Sequence, residues 1–279
     1  MTGYRVPTPS SEPNGITAGP DAALWFTEYT GDKIGRITTT GVFTEYPIPT
    51  VNSGPEEITP GPDGALWFTE SVGKVGRITT AGVITEYPIP TQLSGLTGIA
   101  AGPDGALCFS ESVAGKIGRI TTAGAISEYS IPTLNSEPEG ITAGPDGALW
   151  FTEDSGNKIG RITTAGLISE YPIPPHNTQP VGITAGPDGA LWFTESGVSQ
   201  IGRVTTADAI TEYPIPVPSS QPFEVTAGPD GALWFTGDFS VGQLVFLSAT
   251  LNASPAAGTP GTEVLLNGGG FGANEMVNL

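Results

Sequence analysis

Five glutamates recur at one position of a repeated sequence. Glu28, Glu70, Glu111, Glu153 and Glu195 each close a run of the form Ala-Leu-Trp-Phe-Thr-Glu, and Gly237 stands there in the sixth copy. Carboxylates are hard oxygen ligands, and several converging on an axis suit a divalent cation, Mg²⁺ or Ca²⁺, held partly through water. The alternative is a ring of solvated or internally hydrogen-bonded glutamates, copied once per repeat. A second acidic set, Glu56, Glu57, Glu139 and Glu224, stands where each Gly-Ile-Thr-Ala run begins. A carboxyl raised in pKa by burial can act as a general base. The remaining chemistry is sparse. His176 is the one histidine and sits in a proline-rich loop, and Cys108 is the one cysteine, so no internal disulfide can form. Neither a Ser/His/Asp set nor Cys/His metal spacing nor a nucleotide-binding loop is present.

The elements that carry these residues are written in the repeat. Pro-Asp recurs at Pro20, Pro62, Pro103, Pro145, Pro187 and Pro229, at spacings of 41 or 42 residues. Each unit reads as four strands, illustrated by Gly140 to Ala143 (A), Ala148 to Glu153 (B), Lys158 to Thr163 (C) and Ile168 to Ile173 (D). The Gly-Pro-Asp-Gly between A and B is a turn: Pro presets φ and the last Gly accepts a positive one. Proline in strand D cannot donate to a ladder, so D must be an outer strand. Four short strands every 40–45 residues or so is the pattern of propeller blades. The fold class is therefore all-β, a six-bladed β-propeller over residues 1–248. The sixth unit lacks a strand D, and Thr2 to Thr8 fits the strand D template. The N-terminal strand is expected to close the ring by completing the sixth blade.

An Ala165-Gly166 two-residue turn between C and D would set Arg161 opposite Glu170, and the same rule pairs Arg36 with Glu45, Arg77 with Glu86, Arg119 with Glu128 and Arg203 with Glu212. Nine of the 10 Lys and Arg residues belong to strand C motifs, so the positive charge is expected to be structural. The tryptophans Trp25, Trp67, Trp150, Trp192 and Trp234 share one position, with Cys108 at the sixth; blade-to-blade packing explains them, and Cys108 becomes a buried, inert thiol.

The A–B and C–D turns vary little, whereas the B–C and D–A loops differ from repeat to repeat. A scaffold that differentiates on one rim is expected to work there. The residues entering strand A on that rim are Asn14, Glu56, Thr97, Glu139, Val181 and Phe223. A small-molecule, peptide or glycan ligand is expected at this rim. With 28 acidic residues against 10 basic ones and a net charge of −18, the chain is unsuited to nucleic acid. No run is long and apolar enough for membrane insertion. Met1 to Ser10 shows no secretory leader, and a monomer is expected.

The motifs Gly-Pro-Asp-Gly-Ala-Leu-Trp-Phe-Thr-Glu, Lys-Ile-Gly-Arg-Ile-Thr and Thr-Glu-Tyr-Pro-Ile-Pro resemble those of the virginiamycin B lyase (streptogramin lyase) family over about residues 2–247. The resemblance implies a propeller of seven blades, against six counted here. It implies a carbon–oxygen lyase that opens a cyclic depsipeptide antibiotic by elimination, with a histidine base and a Mg²⁺ polarising the ester. The family's histidines fall at the entry to strand A, where this chain has no histidine. Its metal-site glutamate falls at the end of strand B. The resemblance thus supports a ligand-binding or scaffold propeller, secreted or surface-borne, and as the alternative a Mg-dependent lyase, cytoplasmic, using Glu56 or Glu139. Residues 249–279 depart from the repeat, and Ser254 to Gly272 resembles the opening of an IPT/TIG immunoglobulin-like domain.

Overall fold

The computed structural model describes residues 3–174, 177–217, 219–238, 240–246, 250–254 and 265–269. His176 and most of the 249–279 stretch lie outside the described residues. Blade 1 comprises β1 (Pro13–Ala18), β2 (Leu24–Glu28), β3 (Lys33–Ile37) and β4 (Phe43–Pro47). Blade 2 comprises β5 (Pro55–Pro60), β6 (Leu66–Glu70), β7 (Lys74–Ile78) and β8 (Ile84–Pro88). Blade 3 comprises β9 (Leu96–Ala101), β10 (Ala106–Glu111), β11 (Lys116–Thr121) and β12 (Ile126–Ser130). Blade 4 comprises β13 (Pro138–Ala143), β14 (Leu149–Glu153), β15 (Lys158–Ile162) and β16 (Ile168–Pro172). Blade 5 comprises β17 (Pro180–Ala185), β18 (Leu191–Glu195), β19 (Gln200–Val204) and β20 (Ile210–Pro214). Blade 6 has three strands, β21 (Val225–Ala227), β22 (Leu233–Gly237) and β23 (Ser240–Leu244). A separate hairpin, β24 (Thr250–Ser254) with β25 (Leu265–Gly269), follows.

Each four-stranded blade is an antiparallel meander with the strands in chain order. The proline-bearing strand D lies at its outer edge, as its missing N–H requires. Strand B is a central strand and is apolar on both faces. Its tryptophan reaches the next blade: Trp25 packs with Ile58, Leu66, Phe68 and Ile78 of blade 2. Equivalent clusters join blades 2 to 3, 3 to 4, 4 to 5 and 5 to 6. Cys108 takes the tryptophan's place between blades 3 and 4, buried, with its thiol pushed up to about 12 by desolvation.

The A–B turn is a small hydrogen-bonded unit. Asp146 Oδ1 accepts from the Trp150 indole N–H (3.0 Å) and from Ala148 N (3.3 Å), and its other oxygen accepts from Arg161 Nε (2.7 Å). The Arg161 guanidinium also lies 5.8 Å from the Trp150 ring centroid. Asp146 to alanine leaves a buried indole N–H without an acceptor, at a cost of about 1–3 kcal/mol. The same change at Asp104 should cost less, since Cys108 offers no indole. Urea unfolding of the two variants checks the order.

This arrangement corrects the expected C–D pairing. Thr163 N donates to Leu167 O (3.0 Å) and Gly166 N to Thr163 O (2.9 Å), with Gly166 at φ 83°. The loop is thus one residue longer than a two-residue turn, a type I turn plus a left-handed glycine. Ser169 stands opposite Arg161, and Glu170 opposite Gly160. The arginines pair instead with the turn aspartates, as in Arg36–Asp21 at 2.6 Å, and the lysines with the strand D glutamates, as in Lys33–Glu45 at 2.8 Å. All nine strand C cations are still paired within the scaffold.

Ring closure also differs from expectation. Residues 3–12 form no strand, and blade 6 keeps three. The N-terminal segment docks on blade 1 instead. Tyr4 lies over Gly41 as Tyr46 lies over Gly82 and Tyr87 over Gly124. Thr8 donates from N (2.9 Å) and Oγ1 (2.8 Å) to the Glu45 carboxylate, as Thr91 does to Glu128. These are the contacts a strand D makes with the following blade. They hold the segment to blade 1 without any ladder to β23, because the anchoring groups belong to blade 1.

Candidate functional site

The rim residues meet at the axis. Strand A of blades 1 to 5 carries a bulge near its start: in blade 1 the register shifts between Pro13, opposite Glu28, and Ile16, opposite Phe26. A bulge re-aims the side chains beside it. Asn14, Glu56, Thr97, Glu139, Val181 and Phe223 sit in this segment of their six repeats. All six line one axial pocket, together with Glu57, Glu224, Gly98 and Gly140. Its volume is about 80 Å³, room for the end group of a ligand and far below the space a whole drug-sized molecule needs. Asn14 and Glu56 also border a 330 Å³ groove with Glu12, Pro13 and Tyr29, which extends the pocket outward.

Buried threonines hold this geometry. Thr27 Oγ1 accepts from Gly15 N (2.9 Å) and donates to Glu56 O (2.6 Å), so one hydroxyl ties blade 1 to the rim residue of blade 2. Thr69 does the same to Thr97 O (2.6 Å), Thr152 to Val181 O (2.6 Å) and Thr194 to Phe223 O (2.7 Å). In blade 3 the position is Ser110, and Thr97 Oγ1 reaches Pro138 O (3.2 Å) instead.

The axial carboxyls are shifted upward. Glu139 is raised to about 7, first by burial, with the charges of Asp154, Glu56 and Glu137 adding to it; Ser112 Oγ donates to it (3.0 Å) and opposes the rise. Glu57 is raised to about 7 by burial and by Glu56. Glu224 is raised to about 8 by desolvation, then by Glu57 and Glu139; protein crowds its carboxyl, yet solvent still reaches it along the axis. Glu56 is raised by burial, against the hydrogen bond from Asn14 Nδ2 (2.6 Å). With Glu57, Glu139 and Glu224 raised to about 7 or 8, the pocket can accept or supply a proton near neutral pH and offers partial negative charge to a neutral or cationic group.

Glu57 and Glu224 are the residues of this pocket that the rim pattern left out. Both occupy the repeat position of Gly15, Gly98, Gly140 and Gly182. Those glycines have neighbouring backbone where a Cβ would stand, for example Glu139 O at 2.6 Å from Gly98 and Val181 O at 2.6 Å from Gly140. A glutamate at a position otherwise kept as glycine was the available signal.

The strand B glutamates are not at the axis. Glu28, Glu70, Glu111, Glu153 and Glu195 are fully buried, one in each of blades 1 to 5, with Ser11, Ser94 and the strand D glutamates Glu86 and Glu170 as the polar groups beside Glu28, Glu111, Glu70 and Glu153. Strand alternation sets each on the face of the phenylalanine two residues earlier, the face that packs toward the preceding blade, and opposite the first residue of strand C, as Glu153 faces Lys158. Burial raises Glu70, Glu153 and Glu195 to about 8 and Glu111 to about 7, and the strand D glutamate of the same blade pushes each further. Carboxyls held one per blade supply a single side-chain ligand each, short of the oxygen set a hard cation takes. Among the described residues no three His, Cys, Asp or Glu side chains stand close enough to hold an ion. Among the described residues the five glutamates do not gather into one donor set for Mg²⁺ or Ca²⁺.

A β-propeller with an axial carboxyl pocket is the class this fold and site define. Residues 1–248 match the Virginiamycin B lyase family, and the chain belongs to it. The structure superposes on selenomethionine-substituted virginiamycin B lyase from Staphylococcus aureus with a TM-score of 0.82 and 45% identity, over 85% of this chain and 82% of that one. A catalytically inactive variant of the S. aureus lyase with quinupristin gives 0.82 and 41%, over 86% of each chain. A sequence match to virginiamycin B lyase of Bacillus licheniformis is 50% identical over 41 residues, one repeat length, and spans 14% of that protein and 15% of this chain.

Proposed function

We propose that this chain is a ligand-binding propeller of the virginiamycin B lyase type. The single observation that carries the reading is the convergence of all six rim residues on one pocket with four carboxyls and, among the described residues, no histidine. A neutral or cationic end group of a small molecule or peptide enters the axial pocket. The body of the ligand lies along the groove past Tyr29 and Glu12. Support for a small-molecule ligand comes from the S. aureus relative described with quinupristin.

The second reading is a lyase, favoured by one feature: Glu139 has a pKa near neutrality and lines the pocket. In that reading Glu139, with Glu56 beside it, takes the Cα proton. The released pair forms a carbon–carbon double bond, and the ester oxygen leaves as a carboxylate. The protein's own groups position the ester and hold the proton.

Incubation with quinupristin, with and without Mg²⁺, followed by mass spectrometry and by calorimetry, separates the readings. Binding heat with intact macrocycle supports the first. A linear product lost in Glu139→Gln supports the second. Neither heat nor product removes this ligand class from the proposal.

A further inference from the structure

Blade 5 breaks the charge pattern of the four blades before it. In blades 1 to 4 the first residue of strand C is a lysine whose ammonium meets the strand D glutamate: Lys33–Glu45 at 2.8 Å, Lys74–Glu86 at 3.3 Å, Lys116–Glu128 at 2.8 Å and Lys158–Glu170 at 3.4 Å. In blade 5 that lysine is Gln200, while both carboxyls remain, Glu195 on strand B and Glu212 on strand D. The ladder puts Glu195 opposite Gln200 and Glu212 opposite Gly202, so the three side chains share one face of the sheet. Glu195 Oε1 reaches over strand C toward Glu212, to 2.6 Å from where a Cβ of Gly202 would stand. Glu195 is fully buried, and neither of its oxygens has a hydrogen-bond partner among the described residues. Gln200 Oε1 and Glu212 Oε1 are buried and unpartnered as well. Four acceptor atoms thus lack a donor where blades 1 to 4 hold a positive charge, and buried polar atoms are seldom left so. The strand D glutamates carry the same difference. Burial acts upward on all of them, but threonine and lysine donors hold Glu45, Glu86, Glu128 and Glu170 below the usual carboxylate range, whereas Glu212, with burial alone acting, is shifted upward.

We infer that blade 5 binds a monovalent cation of ammonium size, K⁺ or NH₄⁺, between Glu195, Gln200 and Glu212, in the place that the strand C lysine takes in blades 1 to 4. The donors are all oxygen, from two carboxyls and one amide, the ligand types that suit a hard cation. The charge balance selects a single positive charge. In blades 1 to 4 one lysine balances one ionised strand D carboxylate, and the buried strand B carboxyl keeps its proton. One monovalent cation beside an ionised Glu212 and a protonated Glu195 reproduces that balance, with Glu195 ligating through its carbonyl oxygen. A divalent ion asks for more: Ca²⁺ takes about six to eight oxygens and Mg²⁺ a near-octahedral set. Glu212 is half-buried, which gives the ion a route from solvent. The site is separate from the axial pocket. It lies on the Phe193 face of blade 5, in the junction with blade 4.

An ion bound only by the folded chain raises the melting temperature by mass action. Thermal unfolding of the full chain near neutral pH, at constant ionic strength, compares choline chloride with KCl, NH₄Cl, NaCl and CaCl₂. K⁺ or NH₄⁺ is expected to raise the melting temperature by several degrees over choline, and the larger response names the ion. Gln200→Lys puts the charge back into the chain. It should melt in choline as the wild-type chain does in the favoured salt, and it should lose the response. Crystals grown with Tl⁺, a stand-in for K⁺, should show an anomalous peak between Glu195 and Glu212, a readout that does not depend on the variant folding. A wild-type melting temperature that is the same in every salt overturns the inference and leaves the two carboxyls sharing a proton. A response confined to Na⁺ or Ca²⁺ overturns it too, as does one that persists undiminished in Gln200→Lys, or Tl⁺ crystals without the peak.

Discussion

The stability of this propeller falls as the pH rises from about 5 to about 8. Glu70, Glu153 and Glu195 are raised to about 8 and Glu111 to about 7, burial being the first cause, and Glu28 shifts in the same direction. Below about 4.5 these carboxyls are protonated in the folded and unfolded chain alike, and their contribution is fully present. Between there and the folded value the native state keeps protons that the unfolded state releases. Each such proton tilts stability downward by about 1.4 kcal/mol per pH unit. Water penetration and the neighbouring lysines reduce the total, so a fall of a few kcal/mol is expected, a large share of what a domain has. The turn aspartates act in the opposite window. Asp21, Asp63, Asp146 and Asp188 are held below their usual range by the tryptophan, arginine and backbone donors, against desolvation. Their contribution is lost as the pH drops below about 3.8, so the optimum lies near pH 4–5. Urea titrations from pH 4 to 8.5 read the slope directly. Glu153→Gln should flatten it by about one proton's worth and stabilise the chain at pH 8. A profile that is level or rising between pH 5 and 8 would show these glutamates to be ionised in place.

Much of this architecture is legible in the residues themselves. The Pro-Asp spacing, the Gly-Pro-Asp-Gly turns and the proline in strand D fix blade count, strand order and outer edge, because each depends on local backbone chemistry. The axial grouping of Asn14, Glu56, Thr97, Glu139, Val181 and Phe223 follows from the same repeat logic. Three things did not follow. The C–D register depended on whether Thr163 caps the turn by accepting from Leu167 N (3.1 Å), which adds a residue to the loop. The strand B glutamates were placed at the axis because their chain position is at a strand end. Their direction is instead set by alternation from Phe151 and its equivalents, which carries them between the sheets. The docking of the N-terminal segment on blade 1 does not follow, because Thr2 to Thr8 does match the strand D template; sequence identifies the template a strand fits and not the blade it joins.

Gly160→Ala, one methyl added in the middle of blade 4, should be among the most damaging single changes available. The Phe151 ring lies flat across Gly160, and a Cβ there would overlap the ring edge. The same overlap recurs at Gly35 with Phe26, Gly76 with Phe68, Gly118 with Phe109, Gly202 with Phe193 and Gly242 with Phe235. A ring can often swing aside from such a methyl. Phe151 cannot, because it is fully buried among Leu149, Ile141, Ile162 and Cys108 in the junction with blade 3. Backbone and ring must therefore both shift, at a cost of about 1–3 kcal/mol for ordinary overpacking and at the upper end of that range here. Gly147 provides the contrast. It sits at φ 75° with nothing near its absent Cβ, so alanine there meets only the left-handed backbone penalty, roughly 1 kcal/mol. If the ring is the obstacle, Phe151→Leu in the Gly160→Ala background should cost much less than in the wild-type chain, giving a favourable coupling of about 0.5–3 kcal/mol in a double-mutant cycle. Strictly additive costs would mean that the glycine is required by the strand itself and not by the phenylalanine packed against it.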